Sequence, residues 1–148
     1  MYSHILLTSD GSELAAKGVE HGLAIARAAG AEVTLLYVNE PIPLSDLRLA
    51  ASGGMTNPLI RYEEQMEAHF KTISAPIEAK AREMGISLKT ARETDTLPAE
   101  AIVRLAKNSG VDLIVMASHG RRGLSKMLLG SQTAEVLVHT AIPVLVVR

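Results

Sequence analysis

Short aliphatic runs alternate along this chain with longer stretches of helical period, and that alternation restricts the fold more than any other feature. His4 to Thr8, Glu32 to Val38, Leu113 to Ala117 and Val144 to Val147 are runs of strand length. Ser87 to Glu93 is a fifth run, polar on one face, as expected of an edge or half-exposed strand. Leu113 to Ala117 is apolar throughout, which suits a strand buried on both faces.

Helical patterns fill the gaps. After Asp10-Gly11-Ser12, which reads as a turn that caps a helix, Ala15, Val19, Gly22, Leu23 and Ala26 fall on one face, and Gly30 ends the pattern. Gly18 and Gly22 lower helix propensity but let this helix lie close to a sheet. From Tyr62 to Met84 the residues Met66, Phe70, Ile73, Ile77, Ala81 and Met84 share a face, with Pro76 expected to kink or break the helix. Thr96 and Pro98 open a third helix with Ile102, Leu105 and Ala106 inward. Ser131 to His139 is a short fourth helix, with Ser131 suited to the N-cap. Asn39 to Pro58 holds three prolines and a glycine pair without a clear period, and is expected to be a long, mobile surface loop.

The order β-α-β-α-β-α-β-α-β predicts an α/β fold: one five-stranded parallel sheet with helices on both faces and right-handed crossovers. The length of 148 residues fits a single domain over 1–148 that buries a core without disulfides or metals. The absence of cysteine excludes a disulfide scaffold, a cysteine zinc site and a cysteine nucleophile. A formal net charge of −1 argues against an electrostatic nucleic-acid binder or a polybasic membrane anchor. Met1 to His4 lead straight into the first run without a signal-peptide pattern, and the apolar runs fall short of the roughly 20 residues of a membrane helix. The expectation is a cytoplasmic protein that engages neither membrane nor nucleic acid.

In a sheet of this kind, ligands bind beyond the carboxyl ends of the strands, where the strand order reverses. Three segments leave that edge: Thr8-Ser9-Asp10-Gly11-Ser12, Val38-Asn39, and the Gly-rich stretch from Ala117 to Gly123 that runs on to Gly130-Ser131-Gln132-Thr133. Glycines let backbone amides approach an anion, and a helix starting near Ser131 aims free N–H groups and its positive dipole end at the same place. Arg121, Arg122 and Lys126 add positive charge, so a polyphosphate is the natural guest. The plainer alternative is that the glycines only make a turn. Asp10 suits a ribose hydroxyl or a metal ion, or equally a turn cap. His119 suits a phosphate donor or an acid/base group, or a hydrogen bond to a neighbour. His4, His21, His69 and His139 are scattered and lack metal-ligand spacing. The chain has no G-x-x-x-x-G-K-[ST] motif, no G-x-G-x-x-G after its first strand and no G-x-S-x-G elbow.

Over essentially its whole length the chain resembles the universal stress protein family. The ATP-binding branch of that family carries G-x-x-G, nine residues, then G-[ST]. Here Gly120 is the second glycine, Arg121 to Leu129 are the nine, and Gly130-Ser131 close the motif. Asp10-Gly11-Ser12 and Pro143-Val144-Leu145-Val146-Val147 match as well. One position departs: Ala117 stands at the first glycine, where a Cβ costs affinity if positive φ or close approach is needed.

The resemblance implies a Rossmann-like fold of the adenine nucleotide alpha hydrolase-like kind, and ATP as ligand, with or without Mg²⁺. It implies that Asp10, with Thr8 and Ser9, lies on the ribose and α-phosphate side. Val38 would offer its backbone to adenine, and Met116 and Ala117 would line the nucleoside. Gly120, Gly130, Ser131, Gln132 and Thr133 would receive the phosphates through backbone N–H groups and hydroxyls, flanked by His119 and Arg121. It further implies a homodimer through Val144 to Val147, which would also cover an exposed sheet edge. The leading expectation is therefore an ATP-binding, dimeric stress-response or regulatory protein with a protein partner yet to be named and slow hydrolysis at most. A second is a dimeric interaction module of the same fold that binds no nucleotide. A third is an ATP pyrophosphatase or nucleotidyl transferase, although Thr8 to Ser12 has neither S-G-G-x-D-S nor H-I-G-H.

Overall fold

In the computed structural model, which describes residues 1–120 and 129–148, the strands β1 (His4–Thr8), β2 (Glu32–Asn39), β3 (Leu88–Thr94), β4 (Leu113–Ala117) and β5 (Val144–Val147) form one sheet in the order β3-β2-β1-β4-β5. Every neighbouring pair is parallel. The chain therefore builds outward from β1 to β3, then returns to lay β4 on the other side of β1. The reversal falls between β1 and β4.

Among the described residues, α1 (Glu13–Ala29), α3 (Pro58–Glu83), α4 (Pro98–Asn108) and α5 (Ser131–His139) cover the sheet, while α2 (Leu44–Ser52) packs on α3 and buries no residue. Strand alternation splits the core in two. Ile5, Leu7, Val33, Leu35 and Val115 pack with Val19, Leu23 and Ala26 of α1 and Ala81 of α3. Leu6, Leu36, Ile114 and Met116 pack with Ala99, Ile102 and Ala106 of α4 and Val136 of α5. The strands at the centre of the sheet are aliphatic on both faces because both faces are covered. β3 is an edge strand, which explains its half-polar character.

Ser12 caps α1 by accepting from the Ala15 amide at 3.1 Å, and Gly30 ends it in the left-handed region at φ 68°. Gly22 sits so close to β1 that a methyl group there would come within 2.1 Å of Leu7 Cδ2. The closeness expected of α1 and the sheet is thus real.

The structure corrects three expectations. The segment Asn39 to Pro58 is not a featureless loop, because α2 occupies Leu44–Ser52. Its prolines lie outside the helix: Pro41 and Pro43 precede it, and Pro58 opens α3. Gly53 and Gly54 end it, so the breakers that hid the helix delimit it. Next, Pro76 does not break α3, which runs unbroken from Pro58 to Glu83. Pro76 is on the exposed side, where water can serve the freed carbonyl, while Phe70, Ser74 and Ala81 are buried against the sheet. Finally, Gly130 rather than Ser131 is the N-cap of α5, since the Ala134 amide bonds the Gly130 carbonyl at 3.0 Å. Ser131 is the first helical residue. Among the described residues, no helix is long and apolar enough to cross a membrane.

Candidate functional site

The crevice beyond β1 and β4 collects most of the singled-out residues. Thr8 ends β1, and Ser9, Asp10 and Gly11 turn the chain into α1. Ser9 is buried; its amide bonds the Leu36 carbonyl at 3.1 Å and its hydroxyl accepts from the Gly11 amide at 3.2 Å. Gly11 has φ 80°, a conformation that a side chain would strain. Asp10 Oδ1 accepts from the Ser12 amide at 3.0 Å, an Asx turn. The other oxygen, Oδ2, faces the second wall of the crevice: a methyl group on Gly120 would come within 2.7 Å of it. Asp10 is therefore both a turn residue and a site wall.

β4 supplies that second wall. Beyond Ala117, the Ser118 amide bonds the Val147 carbonyl at 2.7 Å, and Ser118 Oγ lies 3.1 Å from His119 Nδ1. The Gly130 amide returns to the Ser118 carbonyl at 2.7 Å, closing the loop at the start of α5. A methyl group on Gly130 would meet the Ser118 carbonyl oxygen and His119 Cα, each at 3.0 Å. Gly130 is thus held close against backbone, and Gly120 against the end of the Asp10 side chain. At both positions a Cβ would press on protein atoms, so the glycines let the walls from β1 and β4 come together at the start of α5.

The first-turn amides of α5, on Ser131, Gln132 and Thr133, have no acceptor within the helix. They lie just past Gly130, beside His119. Two of their side chains are engaged elsewhere. Thr133 is buried, and its hydroxyl donates to the Ala117 carbonyl at 2.9 Å. Gln132 Oε1 accepts from the Ala99 amide at 3.0 Å. Any phosphate contact from Thr133 runs through its backbone N–H, and any contact from Gln132 through backbone or the far end of its carboxamide. Ser131 is exposed.

Ala117 is the departure from the glycine motif. Asn57 is the one non-glycine with positive φ among the described residues, so Ala117 has ordinary extended backbone. It pairs with Val147 in the sheet. A Cβ at this position therefore brings no backbone strain. Met116 is buried in the core beneath α4 and α5, and Val38 packs against the edge of the same cluster. Arg121, Arg122 and Lys126 lie outside the described residues.

Two polar clusters beside the crevice escaped the sequence reading. Asn39, at the end of β2, is buried and accepts from the Arg92 guanidinium at 2.9 Å. Arg92 also binds Glu63 at 2.8 Å and Glu67 at 3.3 Å, which ties β3 to α3. The hydrogen bond to Glu63 raises the Arg92 pKa. At the end of β3, Asp95 accepts from the Leu97 amide and from Arg104, and both bonds hold its pKa below the ordinary value. The partners of Arg92 come from β2 and α3, and no local spacing announces them.

The family model for the universal stress protein family matches residues 1–148. The chain is 33% identical to universal stress protein MJ0531 of Methanocaldococcus jannaschii, aligned over 100% of this chain and 83% of that protein. It is 30% identical to universal stress protein YxiE of Bacillus subtilis over the whole of both chains. Among solved structures, the hypothetical protein MJ0577 superposes with a TM-score of 0.82 at 30% identity, covering 99% of this chain and 96% of that one. Universal stress protein UspA from Lactobacillus plantarum superposes at 0.77 with 24% identity, covering 99% and 98%.

Proposed function

The chain belongs to the universal stress protein family, and on that premise we propose that it binds ATP in the crevice between the carboxyl ends of β1 and β4. The observation that carries this reading is the meeting of these segments at the start of α5. Asp10 Oδ2 faces Gly120, Gly130 is pressed against Ser118 and His119, and the first-turn amides of α5 open beside them. Amides of that kind, with a helix dipole behind them, bind phosphate oxygens. Asp10 is placed to take a ribose hydroxyl. Ala117 is compatible with this because its backbone is unstrained. Arg121 is proposed to flank the phosphates with His119, with or without Mg²⁺.

Two structures of the same fold were solved with adenine nucleotides: a universal stress protein in complex with cAMP, at 22% identity, and one from Archaeoglobus fulgidus in complex with dAMP, at 19%. Those identities support the fold alone. The nucleotide reading for this chain rests on its own residues.

ATP then acts as a bound ligand that sets conformation or partner choice in a cytoplasmic regulatory protein, with slow hydrolysis at most. The protein is a homodimer through β5, whose outer edge has no neighbouring strand among the described residues. Calorimetric titration with ATP and Mg²⁺ tests the site, and light scattering tests the dimer. Micromolar binding is expected. No heat, together with no nucleotide released from denatured protein, would move the assignment to the interaction module that binds no nucleotide. A monomeric mass at micromolar concentration would overturn the dimer.

A further inference from the structure

We infer that Gln132 is a positioning residue for this site: it sets the phosphate-facing amides of α5 by capping α4. The inference rests on the ATP-binding reading and goes beyond it.

The case begins at α4. Its N-cap residue, Leu97, has no side chain that can accept a hydrogen bond. Its first residue, Pro98, has no N–H to satisfy. The amides of Glu100 and Ala101 both turn back to the Leu97 carbonyl, at 3.0 and 3.2 Å. That leaves the amide of Ala99, a residue 7% exposed, without an acceptor from its own helix turn; the bond it makes instead is part-buried. A buried N–H is costly to leave unpaired. Gln132 Oε1 supplies the acceptor at 3.0 Å, from the second residue of α5. Because an amide N–H only donates, the carboxamide oxygen must face Ala99, which fixes the orientation of the side chain.

The same residue contributes one of the three free amides that open on the crevice. One side chain thus links the start of α4 to the start of α5, and the apolar contact of Val136 with Ala99 and Ile102 backs it. Two anchors then hold the start of α5. The Gly130 amide and the Thr133 hydroxyl fix it to the end of β4. Gln132 fixes its rotation against α4. A phosphate cradle depends on amides held within a few tenths of an ångström, so this second anchor sets affinity.

The test separates positioning from simple stability. Gln132→Met keeps the length of the side chain and removes the acceptor. It is expected to weaken ATP binding about tenfold and to lower Tm by roughly 2–4 °C. Adding Leu97→Ser to Gln132→Met gives α4 a cap of its own at an exposed position, without restoring the tie to α5. That double variant is expected to recover Tm but not ATP affinity. Recovery of both would reduce Gln132 to a stabilising cap and overturn the inference, as would parent-like affinity in Gln132→Met. If the parent chain binds no ATP, the nucleotide reading fails first and the inference falls with it.

Discussion

The two ends of the sheet use similar residues for opposite purposes. At the amino end, polar groups are consumed in holding strands together. The Asp112 carboxylate accepts from the Ser3 amide at 2.8 Å, the Ser3 hydroxyl at 2.7 Å and the His4 amide at 3.1 Å. The Asp112 amide returns a bond to the His4 carbonyl at 2.9 Å. Buried His4 spans the Ser109 carbonyl at 3.0 Å and the Thr34 hydroxyl at 2.8 Å. At the carboxyl end, an aspartate, a histidine and several amides surround a crevice in which glycines keep side chains away. An aspartate next to β1 or β4 is therefore uninformative alone. What tells the ends apart is whether glycines and a helix N-terminus accompany it.

That comparison yields three predictions, the largest first. Gly130→Val pushes on backbone at Ser118 and His119. It should weaken ATP binding on the order of a hundredfold or more and also lower Tm, because the displaced atoms are backbone. Parent-like titration heats from this variant would place the ligand elsewhere. Asp10→Ala removes a wall and an Asx turn, while Ser12 still caps α1. About a tenfold loss of affinity is expected, with an unchanged circular dichroism spectrum.

The smallest effect on the site is expected from the opposite end. Burial pushes the Asp112 pKa up, but the hydrogen bonds from Ser3 and His4 outweigh it and hold the carboxyl below its ordinary value of 3.8. A folded-state pKa that is depressed adds stability above the unfolded value, and that stability is lost as pH falls through the folded one. Asp112→Asn should therefore lower Tm at neutral pH and flatten its decline below about pH 4, while ATP affinity stays at the parent value. Melting curves from neutral to acid pH, paired with titration, check this. A loss of affinity like that of Asp10→Ala would show that the two ends are not independent.

Much of the fold was legible because strand and helix periods are local. β1, β4 and β5 stand within the bounds expected for them. The misses have specific causes. α2 is hidden in the sequence because the prolines and glycines at its borders give the whole segment the composition of a loop. Pro76 would break an isolated helix, whereas packing of α3 on the sheet holds this one together. The Arg92 cluster was invisible because Asn39, Glu63 and Glu67 meet it only across β2 and α3.

The candidate site divides the same way. By itself the sequence determined the turn at Asp10-Gly11-Ser12, the glycines at 120 and 130, and the helix that follows, since each depends on backbone preferences within a few residues. Only the tertiary structure decided that Asp10 faces Gly120 and that Gln132 reaches Ala99. Those meetings depend on β4 lying beside β1 and on α5 packing against α4. Strand order and helix packing are set by pairing between residues distant in sequence, and no local period encodes them.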